Sequence, residues 1–251
     1  MAIERNFAVN NNMYNRYGER WYTADDDPVA LLRAEARARN AWAIAEMAGR
    51  FSGRNIQILD IGCGAGFLSN ALAKEGYRHV VGLDLSESSL EVARRHDSTG
   101  TVEYRFGNAH ALGFVDGAFD AVCAMDFLEH VEHPGLVVRE AARVLKPEGL
   151  FFFHTFNRNL LSWIVVIKGV EWFVRNTPAD MHRLRYFIKP AELRAMCREN
   201  GMEVLLCRGL VPKLLHVPFW KMLATGKVGD RFEFKFTRHT MMGYTGLAVR
   251  L

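Results

Sequence analysis

Asp126, Glu129 and His130 stand at positions i, i+3 and i+4. On a helix this spacing places all three side chains on one face. Two carboxylates and an imidazole suit a divalent cation such as Mg²⁺, although Mg²⁺ favours oxygen ligands. The same residues also suit proton transfer, with His130 as a general base and no metal. A third reading is architectural, with Glu129 and His130 capping and pairing at the start of the next helix. The spacing by itself leaves the three readings open.

A second group of residues forms a turn. An apolar, β-branched run at 56–61 ends in Gly62-Cys63-Gly64-Ala65-Gly66, and a helical pattern begins at Phe67. That is how a buried parallel strand turns into a helix beneath a ligand. Glycines at such a turn let the backbone approach a bound molecule where a Cβ would intrude. The next strand-like run ends in Asp84, 22 positions after Gly62. An acid about 20 residues past the turn is placed to bind ribose hydroxyls. The dinucleotide fingerprint takes glycine or alanine where Phe67 stands, so the pattern differs from it. A Lys-Ser/Thr phosphate loop is excluded, because none follows the glycines. The first half of the chain therefore reads as a nucleoside site. A bare sheet turn, the alternative, leaves Asp84 at a strand end with no task.

The elements that must position these residues alternate in type. The spacing predicts a helix from 67 to 74, a strand at 79–84 and a helix at 87–97 capped by Ser86. Strands at 101–106 and 119–125, a helix at 134–146 and a strand at 150–153 follow. Such alternation predicts right-handed crossovers and a doubly wound, mostly parallel α/β sheet. Ligands then bind beyond the carboxyl ends of the strands. The loop 62–66, Asp84, Asn108 and the segment 125–130 all fall at such ends. Runs at 202–207 and 243–249 would complete the sheet with one antiparallel edge.

The chain divides into a helical cap (1–50), the nucleoside core (51–155) and a substrate- or membrane-facing helical region with sheet-completing strands (156–251). The aromatic cluster Tyr14, Tyr17, Trp21 and Tyr22 reads as a cap over the site, with a purely structural role as the alternative. Asp27-Pro28 opens a helical pattern from about 29 to 49. Arg33, Arg37 and Arg39 lie along it, placed either for a ligand carboxylate or on a solvated face. The apolar run 160–175 carries two tryptophans and is broken by Lys168 and Glu171. It reads as an interfacial helix or a packing helix. The basic, aromatic stretch 208–240 yields no reading.

Composition narrows the field. The chain has 251 residues, 49% of them hydrophobic, enough for a full core. A net charge of +4, with no basic block, is too mild to argue for nucleic acid. The four cysteines show no metal spacing and suit a reducing compartment. Residues 1–20 lack the apolar core of a signal peptide, and no apolar run reaches about 18 residues. The expected location is cytoplasmic, peripheral on the inner face of a membrane.

The segment Leu59-Asp60-Ile61-Gly62-Cys63-Gly64-Ala65-Gly66 resembles the first motif of class I S-adenosylmethionine-dependent methyltransferases. Met125-Asp126-Phe127-Leu128-Glu129-His130-Val131 is similar to the Met-Glu-x-x-Glu-His-Val motif of the ubiquinone-biosynthesis O-methyltransferase family. So are Asn157-Arg158-Asn159-x-x-Ser162-Trp163 and His182 followed by Phe187-Ile188-Lys189-Pro190-Ala191-Glu192-Leu193. The resemblance covers about 40–200. It implies the class I methyltransferase architecture, S-adenosyl-L-methionine as cofactor, and O-methylation of a polyprenylated catechol or quinol precursor. The alternatives are another hydrophobic small molecule as substrate, or a membrane-associated cofactor-binding protein without turnover. The implied cofactor contacts are Arg39, Asp60, Gly62, Cys63, Gly64, Asp84, Leu85, Asn108, Ala109 and Met125. Asn108 stands where the class often has Asp; it loses the charge and keeps an acceptor for the adenine amino group. In the family, the residues matching Asp126, Glu129 and His130 are regarded as the metal site, with Asp126 one methylene shorter than the usual Glu. A prenylated substrate and an anionic membrane surface are the implied partners.

Overall fold

A run buried on both faces reads as a near-continuous apolar strand, and the two central runs of this chain do so. The computed structural model describes residues 11–178 and 181–251. In it, β1 (Gln57–Ile61) and β4 (Phe119–Met125) are buried almost throughout. Around them lie β2 (His79–Asp84), β3 (Glu103–Phe106) and β5 (Leu145–Phe156), all pairing parallel. Beyond β5 come β6 (Met202–Pro212), β7 (Phe234–Thr237) and β8 (Gly243–Arg250). The sheet order is β3-β2-β1-β4-β5-β8-β6-β7. The order reverses between β1 and β4, and the crevice above that switch point is where such sheets bind ligands.

One antiparallel edge strand was expected; the edge holds three antiparallel partners instead. β8 pairs with β5, β6 with β8, and β7 with β6. β7 escapes a reading by pattern because it is only four residues long and sits inside the basic stretch.

Nine α-helical segments are described: α1 (Arg20–Thr23), α2 (Pro28–Arg50), α3 (Phe67–Lys74), α4 (Glu87–His96), α5 (Pro134–Val144), α6 (Leu160–Ser162), α7 (Gly169–Phe173), α8 (Pro190–Glu199) and α9 (Val217–Thr225). A π-helical turn, Trp163–Lys168, joins α6 to α7. Asp27 caps α2 by accepting from the Val29 amide at 3.1 Å, with Pro28 at the first helical position. Ser86 caps α4 in the same way.

Successive strand residues point to opposite faces, so each central strand feeds two cores. Leu59, Val122 and Phe151 pack with Val137, Val138 and Leu193 of α5 and α8. Ile58, Cys123 and Phe152 pack with Trp42, Met47, Leu68 and Leu72 of α2 and α3. A third cluster lies apart from these, where Ala30 and Ala34 of α2 meet Val174, Met222 and Phe232.

The glycine turn owes its composition to the protein's own packing as much as to a ligand. Gly62 has φ +68°, and a Cβ there would lie 2.0 Å from Cδ2 of Phe127. Gly66 has φ +79°, and its Cβ would lie 2.3 Å from the Tyr104 hydroxyl oxygen. At Gly64 a Cβ would meet Trp21 only at 3.5 Å, an ordinary contact, so there the demand is the positive φ of +52°.

Candidate active site

The end of β2 presents Asp84 in a fixed orientation. One carboxylate oxygen accepts from the Gly64 amide at 2.9 Å and the other from the Ser86 amide at 2.8 Å. Burial raises its pKa, and the backbone donors oppose that shift. A carboxylate has about four lone-pair sites, so both oxygens keep capacity for a pair of hydroxyls. Asp60, at the end of β1, is buried and accepts from the Ser69 hydroxyl at 2.7 Å, which ties the glycine turn to α3. Burial pushes its pKa up to about 6. The Asn108 side-chain oxygen accepts from the His110 amide at 2.9 Å, and an amide oxygen retains a second lone pair.

All ten candidate cofactor residues line one cavity of about 660 Å³. Asp126 and His130 line it too; Glu129 does not. The N-terminal aromatics close it. Trp21 lies over Gly64, and Tyr14 stacks on Trp21 with ring centroids 5.6 Å apart. The Tyr22 hydroxyl donates to the Ala65 carbonyl at 2.8 Å. Arg33 holds this cap by donating to the Trp21 and Ala24 carbonyls. Arg37 reaches the other way, to the Asp230 and Phe232 carbonyls. These two arginines staple chain segments together, a role neither sequence-based reading contained.

Arg39 is also committed within the protein. Its guanidinium pairs with the Asp126 carboxylate, and the two side chains are only 3% and 8% exposed. Burial lowers the arginine pKa; Glu35, Asp60 and Glu129 hold it up. Asp126 Oδ1 lies 3.4 Å from Nε2 of His154, and Glu35 Oε1 lies 3.2 Å from the same nitrogen. Sequence reasoning missed Glu35 and His154. The available signals were a lone polar residue ending an apolar strand run, and an acid four residues before Arg39 on the alanine-rich face of α2.

Asp126, Glu129 and His130 do not share a helical face. Asp126 has φ +51° and precedes a short 3₁₀ turn, Leu128–His130. Glu129 accepts from the Thr155 hydroxyl at 2.8 Å, and burial raises its pKa. His130 Nε2 lies 3.3 Å from the Tyr14 hydroxyl oxygen, and its ring sits 5.3 Å from that of His182. Burial and His182 push its pKa down to about 3, so it is neutral at physiological pH. Among the described residues, the acid and histidine ligand atoms gathered within 4.8 Å belong to Glu35, Asp126 and His154. The fit to the implied Mg²⁺ is therefore poor in this arrangement. A guanidinium occupies Asp126, and Glu129 is turned to Thr155.

If Asp84 holds the ribose, Asp84→Ala should weaken S-adenosylmethionine binding by about 1–3 kcal/mol, the scale of a charge-assisted hydrogen bond. Calorimetry on the folded variant measures this directly; an unchanged affinity would remove Asp84 from the cofactor site.

Comparison with known proteins shows the family. Residues 59–153 match a family model described as "Methyltransferase domain". The chain is 40% identical over 200 residues to the ubiquinone biosynthesis O-methyltransferase of Bordetella avium, covering 78% of this chain and 81% of the relative. The enzyme of the same name from Leptothrix cholodnii is 38% identical over 211 residues, 82% of this chain and 88% of the relative. Among solved structures, a magnesium protoporphyrin IX methyltransferase from Synechocystis with bound SAH superposes with a TM-score of 0.66. It has 17% identity and covers 97% of this chain and 96% of that one. A possible histamine N-methyltransferase from Thermotoga maritima gives 0.62 at 18% identity, over 96% and 99% of the two chains. These two share the fold. The longer likeness to the curated relatives decides the family: the chain belongs to the ubiquinone biosynthesis O-methyltransferases and is an S-adenosylmethionine-dependent O-methyltransferase.

Proposed function

We propose that the acceptor is a hydroxyl on a polyprenylated catechol or quinol precursor, with His130 as the group that takes its proton. One observation carries the assignment: the cavity lined by the candidate cofactor residues also takes in His130 and continues into an apolar wall. The relatives are named for ubiquinone biosynthesis, whose precursors are hydrophobic.

A sulfonium methyl is already activated, so the protein must supply alignment and a deprotonated oxygen. The acceptor oxygen attacks the methyl carbon as the carbon–sulfur bond breaks, and its proton passes to a base. His130 is neutral and borders the cavity. A phenolic hydroxyl, that of Tyr14, already stands within reach of its Nε2. The sulfonium loses its positive charge as the imidazole gains one, so the site carries one cation before and after transfer. This offsets the burial that otherwise makes His130 a weak base.

His130→Ala should lower the methylation rate by about 10²–10⁴, measured with labelled cofactor and a prenylated catechol whose product is identified by mass. Full activity in this variant would remove the base. The same assay with chelator addresses the metal: turnover lost and then restored by Mg²⁺ would mean that Asp126 leaves Arg39 to bind the ion. A methylated product without a prenylated ring would replace the substrate class.

The segment from α6 to α7 supports peripheral contact with a membrane. Leu160, Ile164, Trp172 and Phe173 are exposed, and α7 has no buried residue. Apolar exposure of this extent marks an interaction surface, and aromatic residues favour the headgroup level. Among the described residues, no helix is long and apolar enough to cross a membrane. Lys168 pairs with Glu171 at 2.6 Å, which blunts its attraction to anionic lipid. The wild type should float with anionic liposomes, and the Trp163→Glu, Trp172→Glu double variant should stay behind. Equal behaviour of the two proteins would leave α6–α7 with no lipid contact.

A further inference from the structure

The cavity is divided by polarity. Its charged lining residues, Glu35, Arg39, Asp60, Asp84 and Asp126, all stand at the sheet ends or on the facing stretch of α2. Residues 156–251 supply the opposite half, and apart from His182 every side chain they contribute is apolar. This half coincides with the third core cluster. Leu31 of α2, Val170 of α7, Val174 just beyond it, Met222 and Leu223 of α9, and Phe232 pack together and line the cavity. Trp172 and Phe173 line it as well, yet they are 66% and 41% exposed, so the apolar half opens to solvent beside α7.

A nucleoside with an amino-acid tail needs hydrogen-bonding and charged partners, which only the sheet-end half provides. The remaining space needs a ligand with no polar groups, joined to one that reacts beside His130. We infer that the α7–α9 chamber binds the isoprenoid chain of the acceptor, entering past Trp172 and Phe173 while the ring lies against His130. This rests on the prenylated acceptor proposed above and adds where the chain goes. It also gives a task to α9, which belongs to the stretch that had no reading in the sequence. Burying hydrocarbon against Val170, Met222 and Leu223 supplies affinity without contact at the reacting atoms. The total volume of about 660 Å³ lies within the usual range of small-molecule sites, roughly 300–1,000 Å³.

Leu223→Trp and Val170→Phe each add bulk to the chamber, and neither position is a candidate cofactor residue. Two acceptors separate the effects: a farnesylated catechol, and the same catechol with a methyl group in place of the chain. Either variant should raise KM for the farnesylated acceptor on the order of tenfold, the scale of steric discrimination in an apolar pocket. KM for the methyl analogue and the affinity for S-adenosylmethionine should not change. Equal effects on both acceptors, or none on either, would overturn the inference. Farnesol binding by calorimetry, with S-adenosylhomocysteine present, reads the chamber without turnover. Saturable binding to wild type that weakens on the order of tenfold in Leu223→Trp supports it even if neither catechol is methylated, in which case the proposed acceptor falls and the chamber stands. Equal binding, or no binding to wild type, refutes the chamber.

Discussion

A guanidinium that is 3% exposed must be paired within the protein, because an unpaired buried charge is prohibitively costly. Arg39 imposes this demand at the middle of α2, and the surrounding architecture meets it. Its carboxylate partner comes from Asp126 just past β4, with Glu35 one helical turn away and His154 contributed by β5. The pair also shapes the backbone. Asp126 takes a positive φ of 51°, a conformation Asp tolerates better than most residues. Phe127 then comes to lie against Gly62, where there is no room for a Cβ. The buried pair thus adjoins the glycine turn of the cofactor site.

α2 accordingly does three jobs along its length. Its first turns, with Ala30, Leu31 and Ala34, pack into the apolar cluster with α7 and α9. Its middle carries Glu35 and Arg39 to the strand ends, and its last turns put Trp42, Ala43 and Met47 on the sheet. At 23 residues it is about 35 Å long, enough to reach from the apolar chamber to the sheet core. Arg33 and Arg37 fasten the N-terminal cap and the loop before β7 to it. The site is walled on one side by this helix and floored by the sheet switch point.

What could be read from the sequence was chemistry carried by short local segments at the strand ends. The turn at 62–66, Asp84 and Asn108 announce themselves by residue type and spacing, and all reach the same cavity. The parallel order of β1 to β5 followed from alternating patterns, since crossover handedness leaves few choices. Pairings across long separations were not legible. Arg39 and Asp126 are 87 residues apart, and nothing local distinguishes Arg39 from Arg33 or Arg37. The i, i+3, i+4 spacing of Asp126, Glu129 and His130 misled because it assumed a helix. A positive φ at Asp126 turns the first carboxylate toward α2 instead. α9 and β7 were hidden because each is short and lies within a basic stretch, with α9 packing into the third cluster and β7 divided between that cluster, through Phe234, and the sheet core, through Phe236.

The claim that Arg39 and Asp126 form the structural tie is tested most directly by a double-mutant cycle on unfolding free energy in urea. Arg39→Met removes the cation at similar volume, and Asp126→Asn keeps a side chain that tolerates the left-handed backbone. Each single change should cost about 3–5 kcal/mol, because it strands a buried charge. The double variant should be more stable than the sum of the single losses implies, by at least about 1 kcal/mol. Additive losses, or single losses within about 0.5 kcal/mol of wild type, would show that the two residues do not depend on one another and would contradict the account.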